Sequence, residues 1–204
     1  MTVRLRSCPL VTALASVLLA TRGAAQDARL ARLDSAARAS VAAIVDSARA
    51  AGLPSEPLVE RALEGATKGA PGDRIVAAVR RLAGDLGQAR DALGRAATPA
   101  ELEAGAAALR AGASPTLLAQ LRRARPRPQR LTVPLAVLTD LVASGVPVDS
   151  AAAAVLALAA TTRDAELMEF RRTVERDIAL GAPPAAAAAV RVNAAVRQVR
   201  PGPP

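Results

Sequence analysis

A glycine followed by one or two small or apolar residues and then a proline recurs along this chain. The mark appears as Gly52-Leu53-Pro54, Gly69-Ala70-Pro71, Gly112-Ala113-Ser114-Pro115, Gly145-Val146-Pro147 and Gly181-Ala182-Pro183. Glycine just past a helix end adopts the left-handed conformation at little cost, and proline cannot continue a helix but can open the next one. Each mark therefore predicts a joint between two helices. The joints at Gly112, Gly145 and Gly181 are 33 and 36 residues apart, the length of a two-helix unit, whereas Gly69 to Gly112 spans 43, so the spacing is irregular.

The segments between joints carry helical periodicity. From Asp27 to Ala51, Leu30, Leu33, Ala37, Val41, Ile44 and Ala48 recur at three- and four-residue steps and make one apolar face. Ile75, Val79, Leu82, Leu86 and Leu93 do the same from Asp73 to Leu93, with Asp73 placed as an N-cap. Thr98-Pro99-Ala100-Glu101 reads as a capping box with proline at the first helical position. Gly105 lies inside the helix that follows and weakens it by about 1 kcal/mol relative to alanine. Ser114-Pro115 opens a short helix through Leu121, and further helices are expected over 132–144, 148–160, 163–180 and 184–198. Period-two alternation is missing over any useful length. The expected class is all-α: an irregular stack of helical hairpins, α-solenoid-like, or a compact multi-helix domain.

Alanine fills many of the apolar positions. An alanine seam buries little area, and at roughly 25 cal/mol per Å² it stabilises far less than a leucine seam. Modest stability is expected, with the helix carrying Ala185 to Ala189 the first to fray and residues 199–204 forming a disordered tail.

Residues 1–25 read as a cleavable signal peptide. Arg4 and Arg6 precede an apolar stretch from Pro9 to Ala20, and Gly23-Ala24-Ala25 offers the small residues of a cleavage site. The apolar stretch is shorter than the roughly 20 residues needed to span a bilayer. Cys8 precedes the apolar stretch, so it is not a lipobox cysteine. Cleavage before Gln26 would remove it, and the net charge would fall from +9 to +6 as Arg4, Arg6 and Arg22 leave. The remainder, 26–198, reads as a single all-helical domain.

Composition then narrows the chemistry. With no histidine anywhere, the commonest general base, the commonest transition-metal ligand and every Ser-His-Asp or Cys-His arrangement are excluded. After cleavage no thiolate remains. Phe170 is the single aromatic residue, too few rings for base-stacking platforms or aromatic cages. All basic residues but Lys68 are arginine, which together with the alanine content reads as a GC-rich coding bias.

The excess charge is local. Arg122-Arg123-Ala124-Arg125-Pro126-Arg127-Pro128-Gln129-Arg130 holds five arginines and no acid. Without it, residues 112–204 carry 7 basic and 7 acidic residues. Its two prolines predict an extended, solvated connector between helices. Arg122, Arg123, Arg125, Arg127 and Arg130 form the candidate anion-binding set, the alternative being a plain soluble linker. Glu56, Glu60 and Glu64 lie on one stripe but lack calcium-loop spacing and read as a solvated face. Asp164, Glu166, Glu169, Glu175 and Asp177, interleaved with Arg163, Arg171, Arg172 and Arg176, read as an exposed, ion-paired face. The apolar run Ala151 to Ala160 reads as a buried helix, and Met168 and Phe170 as core fillers. No catalytic, cofactor-binding or metal-binding residues are assigned.

These readings point to an exported, non-catalytic helical protein of the bacterial cell envelope, periplasmic or extracellular, with an interaction or scaffold role and a protein partner. The alternative is an anion-binding protein that takes nucleic acid, anionic lipid or an acidic polymer through 122–130. Neither reading uses a cofactor, and neither requires a transmembrane span in the mature chain. An enzyme confined to carboxylates and arginines ranks last. N-terminal sequencing of exported material is expected to begin at or next to Gln26; an intact Met1 terminus in the cytoplasm would refute the leader reading.

Overall fold

The computed structural model describes residues 29–199; the expected leader at 1–25 and residues 200–204 of the expected tail lie outside the described residues. Among the described residues there are nine helices and no strand: α1 (Ser35–Ala50), α2 (Glu56–Thr67), α3 (Gly72–Leu93), α4 (Pro99–Arg110), α5 (Pro115–Ala124), α6 (Thr132–Ala143), α7 (Val148–Ala159), α8 (Asp164–Ala179) and α9 (Pro184–Val199). The fold is all-α. The described residues divide into two compact units, 29–51 with 55–80 and 52–54 with 81–199, the division falling inside α3.

In the first unit, Arg29 and Leu30 are helical, but 31–34 break the single helix that the periodicity suggested from Asp27, and α1 starts at Ser35. The Asp34 carboxylate accepts a hydrogen bond from the Ala37 amide at 2.8 Å and caps the helix there. Leu30 and Leu33 are nonetheless buried, held by a turn in which the Leu33 amide reaches the Leu30 carbonyl. The buried face of α1 runs through Ala37, Val41, Val45 and Ala48, so Val45 takes the place expected of Ile44, and it packs on α2. Asp73 is not the cap of α3. The helix already starts at Gly72, where a Cβ would collide with the Asp34 carboxylate, and Asp73 sits in the first turn, favourably placed for the helix dipole.

In the second unit each helix packs on its next-but-one neighbour. Helices α4, α6 and α8 form one row and α5, α7 and α9 another, with α6 also packed on α7 and α8 on α9. The Gly-x-Pro joints connect α4 to α5, α6 to α7 and α8 to α9. Gly145 shows why glycine is needed: its φ is +90°, and its amide reaches the Val142 carbonyl while the Val146 amide reaches that of Leu141. This pair of bonds satisfies carbonyls that the end of α6 would otherwise leave open. The same pairing closes at Gly69, Gly112 and Gly181. A further left-handed glycine, Gly94, ends α3; its proline lies five residues on, which concealed it from the pattern.

The core is more than an alanine seam. Leu118, Leu121, Leu131, Leu135, Leu138, Leu141, Leu158 and Leu167 are fully buried. Gly105, which looked like a weak point in α4, is a close-approach site. A Cβ there would lie 3.0 Å from the Ala89 Cβ and 3.2 to 3.3 Å from Leu93 and Leu118. The Ala89 methyl is fixed to the α3 backbone and cannot swing aside.

The two kinds of helical glycine predict opposite outcomes. Gly84→Ala in α3 meets open space and is expected to raise stability by about 0.5–1 kcal/mol through helix propensity. Gly105→Ala is expected to lower stability despite the same propensity gain, because overpacking costs roughly 1–3 kcal/mol. Urea denaturation of both variants checks this; a stabilised Gly105→Ala protein would contradict the close packing.

Candidate functional site

The arginine segment was expected to be a solvated connector, but it is partly helical and partly buried. Helix α5 runs to Ala124, so Arg122 and Arg123 lie in its last turn and only 125–131 link it to α6. The prolines begin at Pro126, after the helix has ended, so they do not oppose it. Arg123, Arg127 and Arg130 are exposed; Arg125 is buried, with 6% of its surface accessible, and Arg122 is largely covered. The five candidate residues therefore do not share one solvent-facing surface.

What draws Arg122 inward is Glu101, a carboxylate with no solvent exposure. As expected, Glu101 completes the capping box of α4. Its Oε2 accepts from the Thr98 amide at 2.9 Å and the Thr98 hydroxyl at 3.1 Å, and the Glu101 amide donates to Thr98 Oγ1. The other oxygen looks away along the chain. Oε1 accepts from the Leu131 amide at 3.0 Å and from the Arg122 guanidinium. Arg122 then donates through Nη1 to the carbonyls of Gln129 at 3.0 Å and Arg125 at 3.3 Å. Arg130, mostly exposed, approaches Glu101 at 4.0 Å. One buried carboxylate thus joins the start of α4, the end of α5 and the entry to α6.

The second inward arginine extends this arrangement to α8. Arg125 Nη2 lies 2.7 Å from Asp164 Oδ1, at the first residue of that helix. The acidic residues of α8 were read as an exposed ion-paired face, but several reach other helices. Arg171 pairs with Asp140 of α6, and Asp177 holds Arg191 of α9 through two bonds of 2.6 and 2.8 Å. Only Arg172–Glu169 and Arg171–Glu175 are within-helix pairs of the expected kind. In the first unit the glutamate stripe is exposed, and two of its members are also paired: Glu56 with Arg29, Glu64 with Arg61 and Lys68.

Electrostatics follow from this geometry. Burial alone would raise the Glu101 carboxyl, but the Thr98 and Leu131 amides, the Arg122 guanidinium and the Thr98 hydroxyl outweigh it and hold the group at about 2. Such a carboxylate stays charged at neutral pH and does not act there as a proton donor. Asp177 is lowered by Arg191, and Glu64 by Lys68 and Arg61. Asp85 of α3 is raised by burial against the opposing charges of Arg110 and Arg81, and its Oδ2 has no hydrogen-bond partner.

A groove of about 460 Å³ opens in the second unit between the end of α7, α8 and α9. Leu158, Phe170, Ala194 and Ala195 supply apolar lining, and Glu166 and Glu169 carry its acidic edge. Phe170, read as a core filler, is buried but also borders this groove. Among the described residues, no group of three or more aspartates, glutamates, cysteines or histidines is placed to hold a metal ion. No helix among them is long and apolar enough to cross a membrane. The run from Ala151 lies in α7, where Ala151, Ala154, Val155, Leu158 and Ala159 are buried.

Glu101 is expected to behave as a buried structural charge. Glu101→Gln leaves Arg122 without its counter-charge and should cost on the order of 3 kcal/mol in urea denaturation. The Glu101 carboxyl is lowered from its ordinary 4.5 to about 2, so its contribution is complete above pH 4.5 and is lost as pH falls towards 2. The wild type should lose stability across that window more steeply than Glu101→Gln; parallel curves would refute the role.

Compared with protein-family models, curated proteins and solved structures, the chain shows no significant match to any of them.

Proposed function

We propose that this chain is an exported, non-catalytic protein that presents a helical surface to a protein partner in the bacterial cell envelope. The observation that carries the reading is the packing of α4 to α9 in two rows of helices linked across the rows by alike glycine joints. Hairpins arranged in this way act as repeats whose outer faces are free to vary while their joints and seams are kept, and such surfaces serve recognition. The use of charge agrees with it. Glu101, Arg122, Arg125, Asp140, Arg171, Asp177 and Arg191 are spent on joining helices. The composition of residues 1–25 supports export.

A direct test incubates residues 26–204 with an envelope fraction and follows retention as salt is raised. Retention that persists at high salt, and disappears when the fraction is first treated with protease, is the expected result. Loss of all retention at moderate salt would instead indicate phosphate or acidic-polymer binding through released counterions.

The second reading, an anion-binding protein, now rests on fewer residues. Arg123, Arg127 and Arg130 are exposed on one short stretch, whereas Arg122 and Arg125 face inward. Replacing the three exposed arginines with glutamine is expected to change stability by within about 0.5 kcal/mol per residue. Any heparin or anionic-vesicle binding should be lost with them. The Arg122→Gln and Arg125→Gln changes, by contrast, should unfold the protein at lower urea concentration; equal effects from both sets would contradict the inward assignment.

A further inference from the structure

We propose that the cleft between α2 and α3 binds a small organic acid, its carboxylate held by Arg61, Lys68 and Arg74 and its short apolar body resting on Ile75 and Ala78. The proposal goes beyond the envelope reading and does not depend on it.

The cleft lies within the first unit and has a volume of about 170 Å³. Gly65, Ala70, Ile75 and Ala78 give it apolar lining, and Arg61, Glu64, Lys68 and Arg74 bring three cations to one carboxylate. Glu64 accepts from Arg61 Nη1 at 2.8 Å and from Lys68 Nζ at 2.5 Å, which holds both cations at the cleft. They keep the Glu64 carboxyl below its ordinary range, so it is charged at neutral pH and the surplus around the cleft is positive. A guanidinium has five donors and an ammonium three, so most of theirs remain for a ligand. Arg74 forms no ion pair among the described residues.

Helix ends account for Lys68 but not for Arg74. Lys68 caps the C-terminus of α2, where the helix dipole favours a cation. Arg74 stands in the first turn of α3, where the same dipole is positive and a cation is disfavoured. Its charge therefore serves an anion over the cleft better than it serves the helix. Lys68 is also the one lysine in a chain whose other cations are arginine. A compact ammonium on a flexible stem can follow a headgroup across a small opening, whereas a guanidinium is a planar fork of fixed geometry. Size and polarity then set the class of ligand. At about 30 Å³ per water, the cleft has room for about six waters, which matches a carboxylate of about four to six carbons. Small-molecule sites combine an apolar lining with a few placed polar groups, and inorganic phosphate would use the cations here but not the lining.

The single lysine supplies its own reporter. Reductive methylation with carbon-13 formaldehyde labels the Lys68 amine and the N-terminal amine and keeps their charges; the Lys68 resonance is the one missing from Lys68→Gln. The labelled full-length chain is titrated at constant ionic strength with sodium pentanoate, with inorganic phosphate and with neutral pentanol. The expected result is a saturable shift of the Lys68 resonance with pentanoate, none with pentanol, and weaker binding of phosphate. Arg74→Gln removes a charged contact and should weaken pentanoate binding by about tenfold. Ala78→Met fills the lining and should weaken it as well. A pentanoate shift that never saturates, or that Arg74→Gln leaves unchanged, overturns the proposal. Phosphate binding that is tighter than pentanoate binding also overturns it, because the apolar body would then play no part. Should Ala78→Met lose its helical circular dichroism, Arg74→Gln, at an exposed position, decides with the pentanol comparison.

Discussion

The second unit depends on one carboxylate. Glu101 lies without solvent contact where the start of α4, the end of α5 and the entry to α6 converge, and every acceptor direction it uses is filled. An isolated buried charge is costly, so the site is stable only while all partners are present together. That requirement shapes its surroundings. Arg122 must end α5 near Glu101, and the link must curl so that the Gln129 and Arg125 carbonyls meet the same guanidinium. Leu131 must present its amide to the carboxylate while its side chain enters the core. Polar satisfaction and apolar packing are thus imposed at the same positions.

Local signals in the sequence carried most of the fold. The glycine–proline joints, the capping box and the three- and four-residue steps each act within a few residues, and α4 and α6 to α9 fall within a residue or two of the positions they imply, whereas α5 runs three residues past Leu121. Contacts across the chain were not legible. Thr98-x-x-Glu101 announces a cap, but nothing in the motif says that the second oxygen meets Leu131 thirty residues away. The break before α1 was missed for a related reason: Leu30 and Leu33 keep a helical spacing across the turn at 31–33, and Asp34 caps a new helix. Gly105 could be recognised as a propensity cost but not as a requirement, because its neighbours Ala89 and Leu118 belong to other helices.

The arginine cluster shows why composition misleads about a site. Five like charges in nine residues look like a surface feature, since an arginine rarely enters a protein interior without a partner. Here the partners, Glu101 and Asp164, stand 21 and 39 residues away from Arg122 and Arg125. The same long reach turns α8 from a solvated helix into a crosslinking one, through Asp140 on one side and Arg191 on the other. Within the cluster, Arg123 and Arg127 are the arginines that stay exposed outside these pairs.

The choice of partners for Glu101 also decides how the molecule responds to its medium. The amides and the guanidinium around it hold the Glu101 carboxyl at about 2, so it keeps its charge well into acid. No histidine accompanies it. The central contact therefore does not loosen in mildly acid surroundings and gives way only in strong acid. In the envelope role proposed above, where acidity would follow the environment rather than the cell, such indifference would keep the helices around Glu101 in place.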